Sequence, residues 1–318
     1  MDFTVDTLVE DTIAIDNTPI SQQTFTDERI IKFLDDEMRG AIIPMFTRAR
    51  EEYFVHTWAF PVDTSFTGFT IPGQAAGFRL RDIYLYDESG NFQSKLQKIN
   101  PDQIPYLGLE LNYRPLYFVE NNEIKIWPRM NQSGILKVRY FKAPNTLTKM
   151  SDAGGRVTGK LPGNVLQLDN VPSTWTTFSG VNAITIDATT GSSPFNFIDL
   201  PNGPLTDAAL VSANIPTGQV TVQNNDVYAA ISVGDYVWEN GKCGVVQFLP
   251  YEALMLIKYR ASMRILKAQG DFQNLSVTAQ LYNAAADDVM SLITPKVENQ
   301  IKTVWNARAL LTRRRFRY

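Results

Sequence analysis

The stretch YFVENNEIKIW, residues 117–127, places β-branched and aromatic side chains on both sides of Asn121-Asn122. Asparagine tolerates the left-handed backbone of a two-residue turn, so this stretch predicts an antiparallel β-hairpin. Pro128 cannot donate to a strand ladder and ends the hairpin, and residues 135–141 predict a third strand. We therefore expect a small antiparallel β meander in the first half of the chain.

The N-terminal part of the chain predicts an arm followed by a helix. Residues 1–26 mix β-branched residues with Asp and Thr and show no helical period, which indicates an extended arm or strand. Residues 27–53 carry apolar side chains at intervals of three and four, the period of a helix. Pro44 removes an amide donor within this segment, so we expect the helix to be kinked or split there.

The C-terminal part predicts two helices. Residues 251–268 are apolar around much of the helix circumference, which indicates a deeply packed helix that stops at Gly270. A second helix is expected over residues 276–293, with Ser276 as its cap and Pro295 beyond its end. The apolar stripe of this helix consists of Val277, Leu281, Ala285, Val289 and Leu292.

The middle of the chain contains short β-like runs between clusters of Gly, Pro, Asn and Ser, at the spacing of all-β proteins. This pattern predicts an inserted β-sandwich or barrel over residues 150–248. The runs are residues 165–168, 183–186, 219–222, 236–238 and 245–248.

Taken together, these patterns predict an α+β fold. A helical bundle would be built from N- and C-terminal segments, with a small antiparallel sheet and an inserted all-β domain. The expected parts are an extended N-terminal arm (1–26), a helix plus antiparallel β meander (27–149), the inserted β domain (150–248), C-terminal helices that complete the bundle (249–294) and a basic-aromatic docking arm (295–318).

The composition indicates a protein that works in an assembly. Of the 318 residues 44% are apolar and 20% are charged, below the roughly 25% usual for soluble domains, so part of the surface is expected to be covered by other protein. The net charge of -3 divides into -3, -6 and +6 over residues 1–160, 161–250 and 251–318, which argues against nucleic-acid binding over the whole surface. We expect neither a signal peptide nor a membrane span.

One motif resembles a nucleotide-binding loop. Residues 154–160, GGRVTGK, match the pattern G-x-x-x-x-G-K, in which backbone amides hold phosphates. The next residue is Leu161 rather than Ser or Thr, so a magnesium ion would lose its hydroxyl ligand. A flexible junction is the preferred interpretation, and a nucleotide enzyme is kept only as a contrasting hypothesis.

The remaining candidate catalytic groups favour structural roles. His56 has the chemistry of a general base, but no nucleophile pattern accompanies it, and Cys243 lacks redox spacing. One Cys and one His build neither a disulfide framework nor a Cys/His zinc site. The adjacent carboxylates at 35–37 and 287–288 point apart on a helix. We expect no catalytic, metal or cofactor site.

The C-terminal end predicts a partner-binding site. The last six residues combine four guanidinium groups with two aromatic rings, which suits phosphates or an acidic protein surface, although an unpaired tail is an equal alternative. The residues expected to bind are Trp305, Arg313, Arg314, Arg315, Phe316, Arg317 and Tyr318.

The order of these segments resembles the head-to-tail connector, or adaptor, proteins of short-tailed and related bacteriophages. The hairpin and the strand after it follow the pattern Tyr-x-Val, turn, Ile-x-Ile-x-Pro, strand, Tyr-Phe-x-x-Pro. Apart from residues 233–237, the segment 150–248 has no counterpart in this family. The segments that carry the resemblance are residues 27–54, 70–82, 117–128, 134–144, 233–237, 249–271 and 293–318.

The resemblance implies a structural virion protein without enzymatic activity or cofactors. A dodecameric ring of copies would lie below the portal at the head-tail interface, after assembly in the host cytoplasm, and would continue the channel for double-stranded DNA. DNA passage would be transient and non-specific. The partners would be other copies, the portal protein and a downstream tail or ring protein, with the C-terminal arm docked on the portal and no contact with a membrane.

An alternative hypothesis comes from another class of protein. In it, the chain is a tail-associated binding module, and the 150–248 β domain binds a glycan or a tail protein through its aromatic residues.

Overall fold

The structure is a computed structural model that describes residues 4–15, 25–71, 75–106, 115–130, 132–175, 184, 186–190, 197–198 and 210–293. The longer helices lie toward the two ends of the chain, and two short ones lie in the middle. The helices are α1 (Val5–Ala14), α2 (Asp27–Glu37), α3 (Ile43–Ala49), α4 (Met150–Ala153), α5 (Asn225–Ala230), α6 (Tyr251–Gln269) and α7 (Phe272–Ile293).

The described strands all lie between these terminal helices. They are β1 (Val55–Val62), β2 (Gly68–Thr70), β3 (Ala75–Tyr86), β4 (Phe92–Lys95), β5 (Gln97–Lys98), β6 (Leu116–Glu120), β7 (Glu123–Trp127), β8 (Gly134–Lys142), β9 (Thr146–Leu147), β10 (Gly154–Leu161), β11 (Val165–Leu168), β12 (Ile186–Thr189), β13 (Phe197–Ile198), β14 (Leu210–Asn214), β15 (Gln219–Val222), β16 (Tyr236–Glu239) and β17 (Lys242–Cys243).

The prediction of an α+β fold organised as a helical bundle with a small sheet is wrong. The fold is mostly β: the described strands form sheets of order β1-β8-β3-β4, β2-β7-β6-β5, β13-β12-β16-β10-β11-β15-β14 and β17-β9. The terminal helices bury their apolar faces partly against strand and loop residues such as Phe141, Leu147 and Phe248. The large sheets hold cores of their own, so the helices do not form a bundle that defines the fold.

The expected extended N-terminal arm is also wrong over residues 5–14, which form α1. The side chain of Thr4 accepts a hydrogen bond from the amide of Thr7 at 3.3 Å and caps the helix. β-branched residues favour strands locally, but the buried side chains of this segment recur at helical spacing and pack on the α6 side of the core. These buried side chains are Val5, Leu8, Val9 and Thr12.

The predicted split of the helix over residues 27–53 is confirmed. A π-helical turn, Met38–Ile42, separates α2 from α3, and a 3-10 turn, Glu51–Phe54, follows α3. Pro44 has no amide hydrogen to donate to the carbonyl of Gly40 one turn earlier. The chain widens just before the proline, where the amide of Ile43 bonds to the carbonyl of Met38.

The predicted hairpin is confirmed, but the meander is not. Asn121 and Asn122 have φ angles of 50° and 64°, as the two-residue turn between β6 and β7 requires. The third strand, β8, belongs to another sheet, where it pairs antiparallel with both β1 and β3. Its alternating buried side chains, among them Leu136, Val138 and Tyr140, share one core with Ile124 and Ile126 of β7, so β8 meets the hairpin through side chains while its backbone pairs in the other sheet.

The strands in the middle of the chain join through β10 into one hydrogen-bonded order of seven, in place of the predicted sandwich or barrel. The first residues of β10 pair with β16 and its last residues pair with β11. A core that includes Trp175, Leu166 and Val237 lies within this region. Residues 245–248 do not form the expected strand, since Val245 makes only an isolated bridge to Thr4. The domain boundaries stay predictions.

The predicted helix end at Gly270 is confirmed, because Gly270 takes the left-handed backbone at φ 77° that terminates α6. The next helix begins earlier than predicted. Asp271 accepts a hydrogen bond from the amide of Asn274 at 3.1 Å, so it takes the capping role expected of Ser276, which lies inside α7.

Candidate interaction surfaces

The predicted docking residues lie outside the described residues, so their role stays a prediction. They are Trp305, Arg313, Arg314, Arg315, Phe316, Arg317 and Tyr318.

The segment that resembles a nucleotide-binding loop is strand β10. Its backbone pairs with β11 and β16, so those amides are not arranged around a phosphate. The ammonium group of Lys160 donates to the backbone carbonyls of Tyr228 at 2.5 Å and Ile231 at 2.7 Å. Lys160 therefore holds the C-terminal end of α5 against β10. The predicted flexible junction is wrong as well, because strand pairing orders this segment.

The lone histidine and the lone cysteine both take part in packing. His56 lies on β1 with its ring steeply inclined to that of Tyr140, at an interplanar angle of 76° and a centroid distance of 5.3 Å. Cys243 is fully buried, which raises the pKa of its thiol, and its Sγ donates to the carbonyl of Val245. A thiol in this state is a poor nucleophile.

The carboxylates of residues 35–37 bind groups on neighbouring segments. Asp35 accepts from Arg39 and from the amide of Leu147, whereas Asp36 and Glu37 both pair with Arg264 of α6, and Glu37 pairs with Arg260 as well. These carboxylates tie α2 to its neighbours through ion pairs and hydrogen bonds. Over the described ranges, no group of three His, Cys, Asp or Glu side chains is placed to hold a metal. None of the described helices combines the length and apolar character needed to cross a bilayer.

The outer face of α7 carries apolar side chains that no described residue covers. Val277, Leu281 and Leu292 expose 51%, 46% and 71% of their surface. Together with exposed Ala284 and Asp288 they follow one another at intervals of three and four, so they lie along one side of the helix. We call this set the α7 stripe.

The stripe predicted from the sequence is therefore only partly right. Of its members Val289 is buried and Ala285 is partly buried, whereas Val277, Leu281 and Leu292 face outward. The inner face of α7 is instead formed by Thr278, Tyr282, Ala285, Ala286, Val289 and Ile293. Of the two apolar faces of this helix, one is left without cover by the described residues.

Several polar contacts fix the orientation of α7. At its C-terminal end, the carbonyl of Ile293 accepts a hydrogen bond from Nε of Arg50 at 2.8 Å. Along its length, the guanidinium of Arg260 lies 5.5 Å from the ring centroid of Tyr282. Arg260 also binds Glu37 of α2 at 2.7 Å. Because these contacts bind the inner face and the end of α7, its outer stripe is held in a defined direction.

A second surface is a cleft of about 600 Å³ between α3 and the strands β3 and β8. Its apolar lining includes Pro44, Phe54 and Phe141. Gly77, in the left-handed region at φ 58°, lies where residues 76–79 of β3 drop out of the pairing with β8. This bulge opens the strand edge onto the cleft, which has the size of a ligand-binding pocket.

Four basic side chains line the same cleft: Arg39, Arg48, Arg79 and Lys142. Arg39 is bound to Asp35, and the guanidinium of Arg79 lies 5.0 Å from the ring centroid of Phe141. Within the described residues, neither Arg48 nor Arg79 forms an ion pair. Among the described residues that line the cleft, the only carboxylate is that of Glu51, which binds Arg81 at 3.1 Å. The cleft is therefore electropositive with an apolar floor. We call it the cationic cleft.

Sequence reasoning missed the cationic cleft. Arg48, Arg79 and Lys142 come from three separate elements and have no regular spacing in the sequence, so no motif connects them. The signal for the α7 stripe was present as apolar periodicity, but periodicity does not tell a covered face from an uncovered one.

The chain was also compared with known proteins. No model of a protein family matches it, and no curated protein sequence matches it either.

Proposed function

We propose that this protein is a structural component of a tailed-bacteriophage virion. Copies form a dodecameric ring below the portal, join the head to the tail and continue the DNA channel. The proposal assigns no catalytic activity and no cofactor. The partners are other copies, the portal protein and a downstream tail or ring protein, and double-stranded DNA passes through without specific contacts.

The observation that carries this proposal is the α7 stripe. A patch of leucine and valine side chains held outward along a 22-residue helix is a feature of protein-protein interfaces. A ring subunit needs such a surface, since each copy contacts two neighbours. The low charged fraction of 20% supports the same role, because covered surface needs fewer charges.

The resemblance to head-to-tail connectors adds the position in the virion. Among the segments that carry it are the hairpin β6–β7, the strand β8 and the helix α6. In this proposal the arm over residues 295–318 docks on the portal, with the rings of Trp305, Phe316 and Tyr318 in pockets and the arginines paired with carboxylates.

The direct test is electron microscopy of the purified chain, alone and mixed with the portal protein of the phage that encodes it. A ring stacked coaxially on the portal is the expected result. Deletion of residues 309–318 should abolish portal binding while the far-UV circular dichroism spectrum is unchanged. A chain that stays monomeric and does not bind the portal protein would contradict the proposal. Portal binding by the chain that lacks residues 309–318 would contradict the role of the arm.

A further inference from the structure

The α7 stripe combines apolar and acidic chemistry. Asp288 lies within the stripe, and α7 contains no basic residue along its 22 positions, its last turn included. The carboxylate of Asp288 therefore has no basic residue on its own helix with which to form an ion pair. A partner for this face has to offer both an apolar surface and positive charge.

The cationic cleft offers that combination on the same chain. Its floor holds the rings of Phe54 and Phe141, and the guanidinium groups of Arg48 and Arg79 lack ion pairs within the described residues. Arg79 lies over the ring of Phe141, so a guanidinium group able to bind a carboxylate lies directly beside an apolar surface.

The spacing along α7 fits this layout. Asp288 and Leu292 are four residues apart, so their Cβ atoms lie about 6 Å apart on one side of the helix. Leu292, exposed by 71%, is free to enter the apolar floor while the carboxylate of Asp288 meets Arg79 at the rim. Leu281 and Ala284 continue the contact toward the N-terminal end of the helix.

The two surfaces do not meet within one chain, since the α7 stripe is exposed while the inner face of α7 packs on the core. Residues 294–318 do not suit the cleft either, because they carry seven basic residues and one acidic residue. The occupant that fits by charge is a second copy.

We propose that the α7 stripe of one copy docks in the cationic cleft of the next copy, with Asp288 paired to Arg79 and Leu292 in the apolar floor. This inference rests on the proposed function, and it names the two surfaces through which the ring closes. Because the two surfaces differ, each copy contacts one neighbour through its α7 stripe and the other neighbour through its cationic cleft. Such a head-to-tail contact generates a closed ring when the rotation per copy divides a full turn.

The test is a charge exchange measured by sedimentation velocity on the full chain. Asp288→Arg and Arg79→Glu, made singly, should each weaken self-association by about tenfold or more, because each leaves two like charges opposed. The double variant should recover association to within about threefold of the wild type, since the pair is restored in reverse. Leu292→Ser should weaken association without changing its dependence on salt.

Two control variants match these changes. Asp287→Arg introduces the same charge one position away, about 100° around the helix from Asp288. Phe272→Ser removes an equally exposed apolar side chain from the opposite side of α7. Both are expected to associate as the wild type does. Circular dichroism identifies any variant that fails to fold, and the double variant serves as the internal check.

The outcomes separate the inference from the proposed function. Rings that form in the wild type but are insensitive to Asp288→Arg, or a double variant without recovery, would overturn the inference and leave the ring proposal standing. Insensitivity to Asp288→Arg is also the result expected if residues 294–318 cover the α7 stripe, and it overturns the inference in that case as well. A wild-type chain that stays monomeric at every concentration, with and without the portal protein, would overturn both.

Discussion

The glycines of β10 allow a sharp test of what the segment GGRVTGK does. A Cβ atom on Gly154 would lie 1.9 Å from the carbonyl oxygen of Val237, and one on Gly155 would lie 2.2 Å from that of Asn170. Both obstacles are backbone atoms. A Cβ on Gly159 meets nothing nearer than the Cβ of Gln167, at 3.5 Å, an ordinary contact.

The size of the effect follows from these distances. Carbon and oxygen atoms of this kind do not approach closer than 3.0 Å, so Gly154→Ala must separate β10 from β16 by about 1 Å. That shift breaks the pairing of residues 154–156 with 236–238. We expect it to lower the free energy of unfolding by about 3 kcal/mol. Gly159→Ala should stay within about 1 kcal/mol of the wild type, because its φ angle is not left-handed.

Urea denaturation followed by tryptophan fluorescence measures this difference. Trp238 is fully buried in β16 and pairs with Gly154, so its emission reports on this contact. Equal free energies of unfolding for Gly154→Ala and Gly159→Ala would refute the reasoning. A Gly154→Ala variant with the same free energy of unfolding as the wild type would also refute it. A phosphate-binding loop would instead make Gly159 and Lys160 the sensitive positions for nucleotide binding.

Three further predictions concern other groups. Lys160→Met removes the ammonium that binds two backbone carbonyls at the end of α5, and should lower the free energy of unfolding in urea by about 1–2 kcal/mol. Partial burial alone would raise the pKa of Asp82, but the hydrogen bond and charge of Lys95 lower it below the unfolded value of about 3.9. The contact of ionised Asp82 with Lys95 therefore stabilises the folded chain above about pH 3.9, and this stabilisation is lost as the pH falls through the folded pKa of Asp82. We expect Tm to fall less between about pH 5 and 3 in Asp82→Asn than in the wild type. Cys243 should react with a thiol reagent only upon unfolding, because burial raises its pKa; rapid labelling of the native chain would contradict its packing role.

Local features of the chain were predictable from the sequence because neighbouring residues determine them. Asn121 and Asn122 specify the hairpin turn by their own backbone preferences, whatever the strands contact. Pro44 interrupts the helix through its missing amide, and Gly270 ends α6 through its left-handed backbone.

The large share of β-sheet relative to helix could not be predicted from neighbouring residues in this way. The segment over 154–160 has four residues with weak strand preference, three of them glycine, and it forms a strand only because β11 and β16 approach from distant parts of the chain. Val5 to Ala14 shows the reverse case, in which β-branched residues become helical through packing on the core.

Neighbouring residues were enough to predict the hairpin turn, the break in the first helix, the two C-terminal helices and the uneven distribution of charge along the chain. Which face of α7 is covered and which basic residues share a cleft follow from the packing of distant elements. The reason is that backbone preferences act over a few residues, whereas burial and the meeting of Arg48, Arg79 and Lys142 depend on contacts between elements far apart in the sequence.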